Sequence, residues 1–120
     1  MKGRVEKMSD ASDLVNQRCV PCEGGIPPMS DPDEEKYLKN VPEWELDRTQ
    51  LHRIRRKFVF DDFVHAIEFV NKVAKLAENE GHHPDIYIFY DIVKLELYTH
   101  AVKGLSLNDF ILAAKINAIQ

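Results

Sequence analysis

The chain has 120 residues, 44% of them apolar and 30% charged, with a formal net charge of -4. That length provides for one domain around one hydrophobic core, and the acidic balance weighs against a protein whose main work is gripping nucleic acid through many Lys and Arg contacts. No apolar run approaches the roughly 20 residues that span a bilayer, and the polar stretch 1–10 lacks the apolar centre of a secretory signal. A cytoplasmic protein with reduced Cys19 and Cys22 is therefore expected.

Residues 1–30 carry scattered charge without a sustained apolar period and end in Glu23-Gly24-Gly25-Ile26-Pro27-Pro28. They are expected to form an extended or partly disordered arm ahead of a domain over 31–120. Within the arm, Cys19-Val20-Pro21-Cys22 has zinc-knuckle spacing, but two cysteines are too few ligands for a site, so no metal is assigned.

Asp31-Pro32-Asp33-Glu34 reads as a helix start, with Asp31 as N-cap, Pro32 at the first position and Glu34 reaching back as a capping box. The helix runs to Leu38 or Lys39, and Pro42 blocks its continuation. Two strands are expected next, 43–47 around Trp44 and then 53–60. In the second, Ile54, Phe58 and Phe60 share one parity and Arg53, Arg55 and Lys57 the other. Arg56 interrupts the apolar parity and is placed near a strand edge. The basic run Arg53–Lys57 is read as a solvated face.

A long helix follows over about 61–80, its apolar face made of Phe63, Ala66, Ile67, Val70, Val73, Ala74 and Ala77. Gly81 suits its C-terminal cap. Strands are expected over 86–90 and 93–99, the latter with Val93, Leu95, Leu97 and Thr99 on one face and Lys94, Glu96, Tyr98 and His100 on the other. A last helix opens at Ser106, with Asp109 completing a capping box. It is apolar on more than one face, which predicts burial against another subunit in a dimer or tetramer. The element order gives an α+β fold, a four-stranded antiparallel sheet with helices packed on one face.

His82 and His83 lie in the loop after the long helix, with Pro84 restricting the backbone. His100 ends the second strand that follows. Antiparallel pairing of these strands brings the three imidazoles to one end of the sheet. Imidazole titrates near pH 6.5, so both of its forms are accessible near neutrality. Such a cluster serves as acid and base, as a metal site, or as a structural hydrogen-bonded group. Adjacent histidines seldom aim both rings at one ion, which tilts the reading toward acid–base work.

Glu78-Asn79-Glu80-Gly81-His82-His83-Pro84, then Tyr90, Thr99-His100, Gly104-Leu105-Ser106 and Asp109, resembles the signature of the pterin-4a-carbinolamine dehydratases. Trp44, the stretch Phe58-Val59-Phe60-Asp61-Asp62-Phe63 and the helix positions Ala66, Phe69, Val73 and Ala74 add to the resemblance, which covers about residue 31 onward. It implies a hydro-lyase that eliminates water from 4a-hydroxytetrahydropterin to give quinonoid dihydropterin, without metal or organic cofactor. His82, His83 and His100 are then the catalytic set. His82 and His100 are favoured for proton transfer and His83 for holding substrate. Glu78, Pro84, Trp44, Tyr90 and Asp109 are candidate substrate-binding residues, Asp109 having a simple capping role as its alternative. Lys103 before Gly104 and the apolar Leu107 depart from the family pattern. Animal relatives also serve as dimerisation partners of a transcription factor. A non-catalytic binding module on the same fold, or an enzyme for a different pterin, is therefore the competing reading.

Overall fold

A computed structural model describes residues 11–21 and 24–120. Three α-helices and four strands follow one another as α1 (Asp31–Leu38), β1 (Glu45–Asp47), β2 (Arg53–Val59), α2 (Phe63–Glu80), β3 (Asp85–Phe89), β4 (Ile92–Leu97) and α3 (Leu107–Ile119). Short 3-10 helices occupy Ala11–Asn16 and His100–Val102. The strands form one antiparallel sheet in the order β1-β2-β4-β3.

Register explains the two faces. Leu46, Ile54 and Leu97 lie across from one another, as do Phe58, Val93 and Ile88. Because side chains alternate along each strand, these rows share the face that α2 and α3 cover. Ala66, Phe69 and Val73 of α2 and Phe110, Leu112 and Ile116 of α3 close the core with them. Phe69 sits between Phe58 and Phe60, with ring centroids 4.7 and 5.1 Å away. The opposite face carries ion pairs, among them Arg55–Glu45 at 3.0 Å and Arg53–Glu96 at 3.2 Å.

Several local expectations shift. The N-cap of α1 is Ser30, whose hydroxyl accepts from Asp33 N–H at 3.3 Å, one residue earlier than read from sequence. Glu34 makes no capping box. Its carboxylate is fully buried, accepting from Arg48 Nε at 2.9 Å and lying 2.8 Å from His52 Nδ1, so it ties α1 to the β1–β2 connection. Trp44 precedes β1 in a turn and is buried against Phe58. Arg56 is not near an edge: it stands opposite Leu95 in mid-strand. Its guanidinium lies 4.4 Å over the Phe58 ring and donates to Asn117 Oδ1 at 2.6 Å. The last turn of α3 thus supplies a polar partner at the margin of the core. His65, in the first turn of α2, lies 2.7 Å from the N-capping carboxylate of Asp62.

The apolar surplus of α3 has an internal cause. Phe110, Ile111, Leu112 and Ala113 are all buried within this one chain. The segment around Ala11–Asn16 packs on α3, and Leu14 is only 2% exposed within the core. The part of residues 1–30 that is described is therefore packed at Leu14. The multiple apolar faces of α3 do not call for a second subunit. Among the described residues no helix is long and apolar enough to cross a membrane.

Candidate active site

α2 stops because Gly81 takes a left-handed conformation, φ 67°, that other residues adopt only with strain. Its N–H bonds Glu78 O at 3.3 Å and the His82 N–H bonds Ala77 O at 3.2 Å, a paired closure of the helix end. The chain turns there and delivers His82 and His83 ahead of β3. β4 returns antiparallel to β3, with Asp85 opposite Glu96, so Thr99 and His100 emerge at the same end of the sheet. Thr99 and Gly104 then bridge each other, the Thr99 N–H donating to Gly104 O at 2.7 Å. A Cβ on Gly104 would stand 2.7 Å from Pro28 Cβ, so only glycine lets the loop pass so close. Ser106 then caps α3 and sets Asp109 in its first turn.

The three histidines line one cavity of about 290 Å³, together with Val20, Pro21, Gly81, Tyr98, Thr99, Ala101 and Asn108. The expected convergence is therefore present. His82 is the most enclosed, with its side chain 12% exposed, and its Nε2 lies 2.6 Å from Oδ1 of the fully buried Asp109. The other oxygen of Asp109 accepts from Thr99 Oγ1 at 2.8 Å and from Ser106 N–H at 2.9 Å. Thr99 Oγ1 lies 2.7 Å from Ser106 Oγ. Asp109 is thus both helix cap and partner of an imidazole. A carboxylate only accepts, so Nε2 of His82 carries a hydrogen and Nδ1 is left to meet a ligand.

His83 lies 3.0 Å from Glu78 Oε1 through its Nε2, with both side chains largely exposed. Such a pair orients more than it stabilises. Glu78 therefore serves His83. His100 is exposed, and its ring stands edge-on to Tyr98 with centroids 6.4 Å apart.

Other candidates lie apart. Trp44 is buried, donates from Nε1 to Asn117 Oδ1 at 2.9 Å, and borders a different groove with Leu38 and Pro42. Tyr90 is 68% exposed in the β3–β4 turn. The strand length puts it roughly 15 Å from the histidine end. Pro84 is half-buried and stays outside the cavity lining, directing the chain into β3. Val20, Pro21 and Asn108 line the cavity but went unnoticed in the sequence. No local period marks a wall made from a segment 60 or more residues away in the chain. Cys22 lies outside the described residues. Cys19 is half-buried, and burial, with the charges of Glu80 and Asp109, pushes its thiol up to about 12. That keeps it in the form that neither ligates nor attacks.

A larger groove of about 480 Å³ is lined by Glu43, Glu45, Arg55, Arg56, Lys57 and Lys94. It contains no histidine, whereas the smaller cavity gathers three. The smaller one is therefore the candidate active site.

Residues 27–119 match the family model described as pterin 4 alpha carbinolamine dehydratase. A protein of Halorhodospira halophila is 47% identical over 106 residues, covering 88% of this chain and 96% of its own length. One from Methylococcus capsulatus is 44% identical over 110 residues, covering 92% and 96%. Both bear the provisional name pterin-4-alpha-carbinolamine dehydratase. Among solved structures, a transcriptional coactivator/pterin dehydratase from Brucella melitensis superposes with a TM-score of 0.72 at 30% identity, over 77% of this chain and 97% of that one. A pterin dehydratase-like RuBisCO assembly factor of the alpha-carboxysome, at 20% identity and a TM-score of 0.55 over 64% and 88%, shares the fold. With nearly the whole domain matched and the histidine cavity in place, the chain belongs to the pterin-4a-carbinolamine dehydratase family.

Proposed function

We propose that this chain eliminates water from 4a-hydroxytetrahydropterin, giving quinonoid dihydropterin, by proton transfer among the cavity histidines. The observation that carries the reading is the enclosed pair of His82 and Asp109, set in one cavity with His83 and His100. The Asp109 carboxylate holds the ring of His82 through Nε2, which suits His82 to accept a proton at Nδ1. The proton comes from the pterin ring N–H next to C4a. Its bonding pair forms the C4a=N double bond as the C4a–O bond breaks. His100 in its protonated form gives its proton to the departing hydroxyl, which leaves as water. Solvent then returns both histidines to their starting forms. His83, held by Glu78 at the rim, binds the substrate. The same cavity, with its open side, leaves room for a pterin other than the tetrahydrobiopterin type.

The exposed apolar side chains Val59, Phe63, Val64, Phe89 and Tyr90 keep a homo-oligomer, dimer or tetramer, within the proposal. Light scattering on the purified chain measures it, and a monomer mass removes it.

Dehydration of synthetic 4a-hydroxytetrahydropterin, followed by ultraviolet absorbance, tests the chemistry. His82→Ala and His100→Ala are each expected to lose about 10²-fold or more in rate while retaining the circular dichroism of the wild type. A folded wild type that gives no acceleration over buffer would sink the reading in favour of a non-catalytic binding module.

A further inference from the structure

The family match begins at residue 27, yet the cavity wall includes Val20 and Pro21. These residues are not loosely draped. Arg18 Nη2 donates to Asn79 O at 3.2 Å, at the end of α2. The Cys19 N–H donates to Glu80 Oε1 at 2.9 Å. Asn108 grips Val20 from both sides: its Oδ1 accepts from the Val20 N–H at 2.9 Å and its Nδ2 donates to Val20 O at 2.6 Å. A side-chain amide paired in this way reproduces a backbone ladder and fixes one residue in position and direction. Asn108 is itself 4% exposed, and the Glu80 side chain is 7% exposed and lies 3.5 Å from Lys115 Nζ. Leu14, buried in the core, anchors the segment upstream. Four contacts on α2 and α3 thus hold residues 18–21 beside the histidines.

The far side of the same segment is also shaped. Val20 and Pro21 border a second, mostly apolar groove of about 400 Å³, with Ile26, Pro27, Met29 and Leu107 among its lining. Val20 and Pro21 are therefore the ridge between the histidine cavity and an apolar trough.

We propose that residues 18–21 form a specificity strap, clamped by Asn108 and Glu80, whose Val20 and Pro21 contact the substituent of the bound pterin and select among 4a-hydroxypterins. The strap rests on the dehydratase reading of the histidine cavity. It adds a substrate-selecting element upstream of residue 27, where the match to the family model begins. A bicyclic ring held by the histidines leaves its side chain to be recognised by whatever borders the cavity. The ridge offers apolar surface, so the strap favours pterins carrying a carbon side chain over the unsubstituted ring.

The test compares two substrates, 4a-hydroxytetrahydropterin with a three-carbon side chain and its unsubstituted parent, in the wild type, Asn108→Ala and the doubly substituted V20A/P21A. The expected result is a fall of about tenfold in the preference for the substituted substrate, expressed as the ratio of the two kcat/KM values, with the change carried in KM. Hydrogen exchange at the Val20 amide is expected to speed up in Asn108→Ala. V20A/P21A changes two exposed side chains, so it retains the fold even where Asn108→Ala does not. An unchanged preference in folded V20A/P21A, with the wild type active, overturns the strap while leaving the dehydratase reading intact. A wild type that neither turns over these substrates nor quenches the fluorescence of an oxidised pterin overturns both.

Discussion

Replacing Asp109 with asparagine tests the site at its most constrained point. Oδ1 meets His82 Nε2 at 2.6 Å, while Oδ2 serves Thr99 Oγ1 and the Ser106 N–H. In Asp109→Asn the amide oxygen can keep the Oδ2 position and so retain the helix cap. The amide NH₂ then faces His82, and two donors cannot bond each other. The ring must shift its hydrogen to Nδ1, which removes the lone pair proposed to take the substrate proton. The charge-assisted bond that is lost contributes about 1.5–3 kcal/mol to a partly buried pair. For a chain of this length that lowers Tm by roughly 5–10 °C. The catalytic cost is larger, about 10²–10⁴-fold in kcat if positioned proton transfer carries the rate, or about 3–5 kcal/mol of activation free energy. Steady-state ultraviolet absorbance measures kcat, and long-range ¹⁵N–¹H correlation on labelled protein reads the hydrogen position on His82. A variant with kcat within threefold of the wild type, or one whose His82 still carries its hydrogen on Nε2, would refute the reasoning.

Cys19 in a Cys22→Ser background should react with iodoacetamide at pH 8 about 10³-fold more slowly in the native protein than in urea. Its thiol is pushed from an ordinary 9.0 up to about 12, and only the thiolate attacks. The same shift means that stability present below pH 9 declines as pH rises from 9 toward 12, because the unfolded thiol ionises first; an alkaline melt that stays flat over that window contradicts it. Glu34→Gln removes the charge of a fully buried carboxylate from between Arg48 and His52. It should destabilise by about 3 kcal/mol in urea unfolding at pH 7, and a loss below about 1 kcal/mol would mean the network is solvated.

Much of the architecture was legible in local pattern. The two-residue alternation of Val93–Thr99 gave β4 its buried face, and the apolar spacing with Gly81 at its end located α2. Ser106 and Asp109 marked the start of α3. Each is a short-range effect, in which a few neighbouring side chains satisfy or block backbone hydrogen bonds. The convergence of His82, His83 and His100 also followed from sequence, because an antiparallel hairpin must bring the end of one strand beside the start of the other.

Pairings between distant segments were not legible. Asp109 read as a cap or a ligand contact, and only the packing of α3 beside the end of α2 makes it the partner of His82. Arg56 looked like an edge residue until Asn117 and the Phe58 ring accommodated it in mid-sheet. Trp44 and Tyr90 fell away from the site, one into the core and one to the far hairpin turn. The apolar faces of α3 suggested a partner subunit, yet Leu14 and its neighbours in this chain cover part of them. Local sequence thus determined which elements form and which of their faces are apolar, since propensity, capping and alternation act over a few residues. Tertiary structure alone decided what covers each face and which polar groups meet, because burial and hydrogen bonding join residues by distance in space and leave no periodic trace along the chain.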